Sequence, residues 1–473
     1  MLNDFINKLL HENFKFTPTE GQDKLLKILS QFISDNNKNN LLLIKGYAGT
    51  GKTTIIKTLV KTLNVLKQKS LLLAPTGRAA KIMETYTNSS AFTIHKKIYK
   101  IEKVNAGFGK FKLATNLYTN TYFIIDEASM IGDKSFENSA FGSGNLLGDL
   151  ITFVKQGKDC KLILIGDTAQ LPPVGLDLSP ALDGYNLETF GFKVTEIELT
   201  EVIRQSQKSG ILHNATYLRN IFNNTEFEMP KLVSNNFSDV KFITGEDLID
   251  TINDSYDKYG INDTIVVTRS NKRANIYNQG IRNKIFWYED LISVGDYIMI
   301  VKNNYNWLDD EAKINFIANG DIARIDKIRK YYTRYNMRFA DVKITLVDYD
   351  IELDTRILLD TLTSETASLS SEQNKEFFYA VLEDYNYIKT KAKRYKAVRE
   401  DGFFSALQIK FAYAVTCHKA QGGQWKSVFI DHGYLTDDRI NKEFIRWLYT
   451  AVTRASEKIY FVNFNKAFIE ENN

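Results

Sequence analysis

The stretch 46-GYAGTGKTT-54 fits the pattern Gly-x-x-x-x-Gly-Lys-[Ser/Thr], with Gly46, Gly51, Lys52 and Thr53 in the fixed places. Glycines let successive backbone N–H groups turn inward, the lysine reaches the β- and γ-phosphates, and the threonine hydroxyl is placed to ligate magnesium. The flanks decide that this is more than a glycine-rich turn. Leu41-Leu42-Leu43-Ile44 precedes it as a buried-strand run, and Ile55, Ile56, Leu59, Val60 and Leu63 follow at helical spacing. Strand, loop and helix in that order predict a cradle for a nucleoside triphosphate.

Further apolar runs at 71–74 (LLLA), 121–125 (TYFII) and 161–165 (KLILI) alternate with helical stretches. That alternation predicts a parallel sheet with right-handed crossovers, whose ligands gather at the carboxyl ends of the strands. A second set at 264–267 (TIVV), 427–430 (SVFI) and 459–463 (IYFVN) predicts a second α/β unit. Residues 96–120 interrupt the first unit with Phe108 set between Gly107 and Gly109, which suits a hairpin standing off the core. Residues 291–408 interrupt the second with short strands, turns such as Asn319-Gly320 and a charged stretch, as a small β-rich insertion would.

The totals exclude several classes. A chain of 473 residues has room for about three domains. Against 57 acidic residues stand 61 basic ones, a net charge of only +4, so a polyanion would have to be held by a local basic surface. Cys160 and Cys417 are the only cysteines, which offers no disulfide framework and no metal quartet and suits a reducing compartment. The start MLNDFINKLLHENF lacks a basic region followed by an apolar run, and no apolar stretch is long enough to span a bilayer. The expectation is a soluble, cytoplasmic protein.

Two strand ends carry further chemistry. In 124-IIDEASM-130 the pair after YFII assigns Asp126 to a Mg²⁺ ion and Glu127 to the attacking water. An Asp-Glu pair alone is more often a solvated turn, and its weight comes from its place in the sheet. In 164-LIGDTAQLPPVG-175, Gln170 is an amide able to donate to a γ-phosphate and accept from water. Arg204 in 199-LTEVIRQ-205 and Arg454 in 448-LYTAVTRASEK-458 lie beyond the first sheet, where guanidinium groups brought onto a γ-phosphate would link domain closure to nucleotide state.

The ordered set GYAGTGKTT, LLAPTGRAA, FTIHKKI, IIDEASM, IGDTAQLPPVG, LTEVIRQ, TCHKAQGGQW and YTAVTRA resembles the motif series of the superfamily 1B DNA helicases, in their RecD-like, Dda-like branch. The resemblance implies two RecA-like domains with ATP and Mg²⁺ between them, single-stranded DNA across their top, and 5′-to-3′ movement by a monomer on single-stranded and forked duplex DNA. It implies domain 1A at 1–95 and 121–185, a 1B pin at 96–120, domain 2A at 186–290 and 409–473, and an SH3-like 2B domain at 291–408.

Carried over by position, the resemblance makes Gln22 of FTPTEGQ the adenine-reading glutamine. It places Gly46, Ala48, Gly49, Thr50, Gly51, Lys52, Thr53 and Thr54 around the phosphates, with Thr53 and Asp126 on the metal. Glu127, Gln170, Arg204 and Arg454 become catalytic beside Lys52, and Gly422 of HKAQGG brings a backbone amide near the γ-phosphate. On the DNA side it implies Pro75, Thr76, Thr93, His95, Thr416, His418 and Lys419, whose hydroxyls and single charges hold phosphates without reading sequence. Phe108 or Phe111 would stack at the fork, or equally pack beneath a surface hairpin. The runs 327-KIRKYYTRYNMR-338 and 389-KTKAKRYKAVR-399 read either as phosphate tracks or as solvated faces.

Other classes remain open at this point. A phosphate-transferring kinase has no use for TCHKAQG or two arginines. A nucleotide-gated nucleic-acid binder without unwinding has no need of Glu127 and Gln170. An RNA or RNA/DNA helicase of the same superfamily differs only in tolerance of the 2′-hydroxyl.

Overall fold

The computed structural model describes residues 1–101, 111–133, 142–202, 208–224, 226–304, 306–308, 314, 316–436 and 439–470, with backbone alone at 101 and 111. The first unit is built on β1 (Asn40–Gly46), β2 (Lys69–Ala74) and β3 (Ala91–Thr93). The chain then leaves through a short antiparallel pair, β4 (Tyr99–Ile101) and β5 (Phe111–Leu113), and returns as β6 (Thr121–Ile125), β7 (Lys161–Gly166) and β8 (Lys193–Leu199). These form a six-stranded parallel sheet in the order β3-β2-β6-β7-β1-β8. Leu41, Leu42 and Leu43 are fully buried because helices cover both faces of the sheet, one face packing Phe123, Leu150 and Leu164 and the other Leu25, Ile56 and Leu59.

The sixth strand corrects the expected boundary at 185/186. KVTEIEL, which carries β8, pairs with β1 from Asn40↔Lys193 to Gly46↔Leu199, so the first unit runs past 185. Its alternation of exposed Glu196 and Glu198 with buried Ile197 and Leu199 marks an edge strand, whose signal is weaker than the unbroken apolar runs of the central strands.

The second unit holds β9 (Val240–Ile243) and β10 (Thr264–Thr268). A barrel follows, of β11 (Tyr297–Ile300), β12 (Ile322–Arg334), β13 (Met337–Leu346), β14 (Ile351–Leu358) and β15 (Leu407–Phe411). The chain then completes the second sheet with β16 (Ala414–Thr416), β17 (Trp425–Asp431) and β18 (Ala455–Val462). That sheet is parallel, in the order β16-β10-β17-β18-β9, and the barrel closes with β15 pairing both β11 and β14. The fold is thus α/β, with two helix-flanked parallel sheets and a closed β insertion. The insertion also carries two helices, Ser371–Asp384 and Lys391–Glu400, which pack Phe377, Val381 and Val398 against Phe339 and Leu358 of the barrel.

Both basic runs fall in this insertion. Along 327–338, Arg329, Arg334 and Arg338 pair with Asp354, Asp384 and Asp360 at 2.6, 2.6 and 2.7 Å, the pattern of a solvated face. In the helix Lys391–Glu400, Arg394 is spent on the Ile388 carbonyl. Among the described residues no helix is long and apolar enough to cross a membrane.

One buried ion pair fastens the barrel to the second sheet. Arg282, at the end of the helix Asn271–Lys284, meets Asp296 through two hydrogen bonds of 2.9 and 3.0 Å, and both residues are at most 1% exposed. Tyr413 and the Ser293 amide complete the shell of Asp296. Removing one partner leaves a charge in the core, so Arg282→Met is expected to cost about 3–5 kcal/mol, read as a lower denaturation midpoint against wild type.

Candidate nucleotide site and nucleic-acid interface

β1 ends at Gly46 and the loop turns back on itself before the helix Lys52–Val65. Gly49 and Gly51 have φ of 76° and 88°, where a side chain would strain the backbone, and a Cβ on Gly46 would stand 3.0 Å from Thr50 Oγ1 and 3.2 Å from Lys52 Cγ. Lys52 Nζ lies along the inside of the loop, donating to the Gly46 and Tyr47 carbonyls at 2.6 and 2.8 Å. Thr53 and Thr54 form the first helical turn, where N–H groups are free of intrahelical partners. Gln22 is 2% exposed and sits behind the loop, donating to the Thr50 carbonyl at 2.9 Å and accepting from the Thr19 amide at 3.0 Å.

Asp126 and Glu127 leave the end of β6. Asp126 accepts from the Glu127 amide on one oxygen and from the Tyr86 hydroxyl on the other, each at 2.8 Å. Burial raises the pKa of both carboxyls, while Lys52 acts in the opposite direction on each and Arg454 does so on Glu127. Gln170, after β7, is 6% exposed and its Oε1 has no partner among the described residues; the same holds for the hydroxyl of Ser129, 2% exposed. Unspent buried polar atoms beside paired carboxylates and an inward-turned glycine loop fit a phosphate-bearing ligand with its cation.

The second sheet reaches this site through the helix Lys442–Val452, the turn after it and Gln421. Tyr449 accepts the Ala48 amide proton at 2.9 Å and donates to Asp167 at 2.6 Å, so it bridges the phosphate loop and the end of β7. Thr450 accepts from the Leu171 amide at 2.9 Å, next to Gln170, and Gln421 donates to the Leu171 carbonyl at 2.6 Å. Arg454 is 3% exposed, held by the Thr450 and Gly423 carbonyls at 3.0 and 3.2 Å, with its charge felt by Glu127. Lys52, Asp126 and Arg454 therefore all act on Glu127, and Gln170 stands next to Leu171, which the second unit holds. Arg204 lies outside the described residues, as do Phe108 and the side chain of Phe111. Tyr449, Asp167 and Tyr86 were missed by sequence reasoning; the first two stand inside motifs singled out for their neighbours, and nothing in the sequence marks Tyr86.

The residues assigned to nucleic acid sit at the carboxyl ends of strands in both sheets. Pro75 and Thr76 follow β2, and Thr93 closes β3, in register Ala74↔Thr93. The Thr76 and Thr93 hydroxyls each accept a helix-capping amide at 3.2 Å. His95 follows on the helix Ile94–Ile98, and burial pushes its pKa down to about 4, which keeps it neutral. Thr416 closes β16 in register with Thr268 and makes no capping bond of its own. His418 is exposed and Lys419 donates to Asn319 at 2.5 Å. Thr76 and Lys419 line one cavity, together with Arg78, Met299 and Trp425. Gly422, at φ 72°, lies so close to the first sheet that a Cβ there would stand 2.9 Å from Thr76 Oγ1.

Two parallel sheets whose strand ends meet at one glycine loop define a two-lobed nucleotide-binding P-loop protein. Residues 30–176 match the AAA domain family, and residues 411–462 match the UvrD-like helicase C-terminal domain. The ATP-dependent DNA helicase Dda of Enterobacteria phage T4 is 26% identical over 478 residues, 94% of this chain and 99% of Dda. The ATP-dependent RecD2 DNA helicase of Deinococcus radiodurans is 31% identical over 180 residues, 37% of this chain and 21% of RecD2. Among solved structures, Bacteroides Pif1 helicase in complex with ADP-AlF3 and ssDNA matches with a TM-score of 0.47 and 18% identity, over 97% of this chain and 95% of that one. Motifs and sequence matches together make the chain similar to the superfamily 1B helicases of the RecD-like, Dda-like type.

Proposed function

We propose that this protein is an ATP-dependent DNA helicase that moves 5′ to 3′ along single-stranded DNA and separates the duplex ahead of it. The observation that carries the reading is the convergence of Lys52, Asp126 and Glu127 from one sheet with Arg454 from the other, while Thr76 and Lys419 share a second cavity.

The inward-turned amides of 48–54 and Lys52 bind the phosphates, and Gln22 stiffens the loop from behind through Thr50. Thr53 and Asp126 are the donors for a magnesium ion, which when bound neutralises phosphate charge. Tyr86 fixes Asp126 in orientation. Glu127 orients the attacking water and takes its proton, Gln170 donates to the γ-phosphate, and Arg454 stabilises the charge that develops on the departing phosphoryl group. Because Arg454, Tyr449 and Thr450 share one segment of the second sheet, loss of the γ-phosphate alters how the two sheets hold each other. Thr416, Lys419 and Thr76 lie on opposite sides of that junction, so a strand gripped by both is displaced when the junction opens.

The test is steady-state ATP hydrolysis with no nucleic acid, with a single-stranded DNA oligonucleotide and with RNA of the same sequence. The expected result is strong stimulation by DNA. No stimulation by DNA, or greater stimulation by RNA, contradicts the proposal.

A further inference from the structure

Lys410 lies on β15, opposite Met299 of β11, and is only 7% exposed. Its hydrogen bond among the described residues goes to the Ser364 carbonyl, which also accepts from Asn275 at 2.8 Å. Among the described residues no carboxylate pairs with it: Glu365, the nearest acidic residue in sequence to Ser364, is joined to Lys272 at 3.2 Å. Among the described residues, the other buried cations have an opposite charge or aromatic faces beside them. Arg282 has Asp296, Arg454 faces Glu127, and Lys161, 8% exposed, donates to two carbonyls against the rings of Phe32 and Tyr122.

A buried ammonium without a counter-charge is expensive, and burial pushes the pKa of Lys410 down to about 8. The side chain is not sealed in a core. It lines a cleft between barrel and second sheet together with Asn271, Asn275, Thr416 and Lys419. Two of those are residues assigned above to the nucleic-acid backbone, and the strand that carries Lys410 runs through β16 directly into HKAQG.

We propose that Lys410 binds a backbone phosphate of the nucleic-acid strand, extending the track of Thr416 and Lys419 onto the wall of the barrel. The proposal rests on the helicase reading for the identity of the strand. The phosphate is the counter-charge that the free protein lacks, and a single ammonium point charge holds it without reading sequence.

The test uses the full chain and its Lys410→Met and Lys410→Gln variants. Dissociation constants for single-stranded DNA are measured by fluorescence anisotropy over a series of salt concentrations, alongside thermal unfolding without DNA. Loss of one phosphate contact is expected to reduce the slope of log K against log salt by about 0.7. The weakening is expected to be the same for different sequences. Removing an uncompensated buried charge is expected to leave the unfolding midpoint unchanged or higher. An unchanged slope overturns the proposal. A lowered midpoint in both variants also overturns it, because the lysine then holds the fold. Wild-type protein that binds no single-stranded DNA overturns the helicase reading and this inference with it, whereas wild-type binding with an unaltered variant slope overturns the role of Lys410 alone.

Discussion

Glu127→Gln is expected to bind ATP about as well as wild type and to lose about 100- to 10 000-fold in turnover, the range of a positioned general base. Glu127 stands at the end of β6 with φ 55°, half-buried and within the fields of Lys52 and Arg454. Glutamine keeps the shape and leaves Lys52, Asp126 and Arg454 in place, but it cannot accept a proton from water. Equilibrium binding of a fluorescent ATP analogue and steady-state hydrolysis separate the two effects. A turnover within about twofold of wild type, far below the range of general-base catalysis, removes Glu127 from that role.

Arg454→Ala is expected to lower DNA-stimulated turnover about a thousandfold or more, as loss of an arginine aimed at a phosphoryl group does. The side chain also bonds Thr450, Gly423 and Thr453, so alanine disturbs the junction between the sheets as well as the charge. Arg454→Lys separates these. It keeps one positive charge and loses the planar fork, and little activity is expected to return. Near-wild-type turnover in Arg454→Ala, with a normal unfolding midpoint, contradicts the role.

Much of this was legible in the sequence, for a local reason. The glycine loop, DEASM and GDTAQ each follow an apolar run that can only be a central strand, so their convergence follows from parallel topology. β8 was not legible because an edge strand alternates, and EIEL reads equally as a charged loop. The bridge by Tyr449 joins residues 401 apart in the chain, and no spacing rule reports a contact of that kind. The run 327–338 suggested a phosphate track because pairing of its arginines with Asp354, Asp384 and Asp360 depends on ribbon register and on helix docking. Lys410 was hidden for a related reason: in LQIKF a lysine reads as the exposed member of an alternating strand, and barrel closure makes it buried.

The pin assignment at 96–120 stays a proposal: β4 and β5 pair within that segment, and Phe108 lies outside the described residues. The central claim, that the nucleotide held by GYAGTGKTT drives directional strand separation, is tested most directly with purified protein, ATP and Mg²⁺. Two duplexes are used that differ only in whether the single-stranded tail is 5′ or 3′. Unwinding of the 5′-tailed duplex alone is the expected result. Unwinding of the 3′-tailed duplex instead, or of neither, contradicts it.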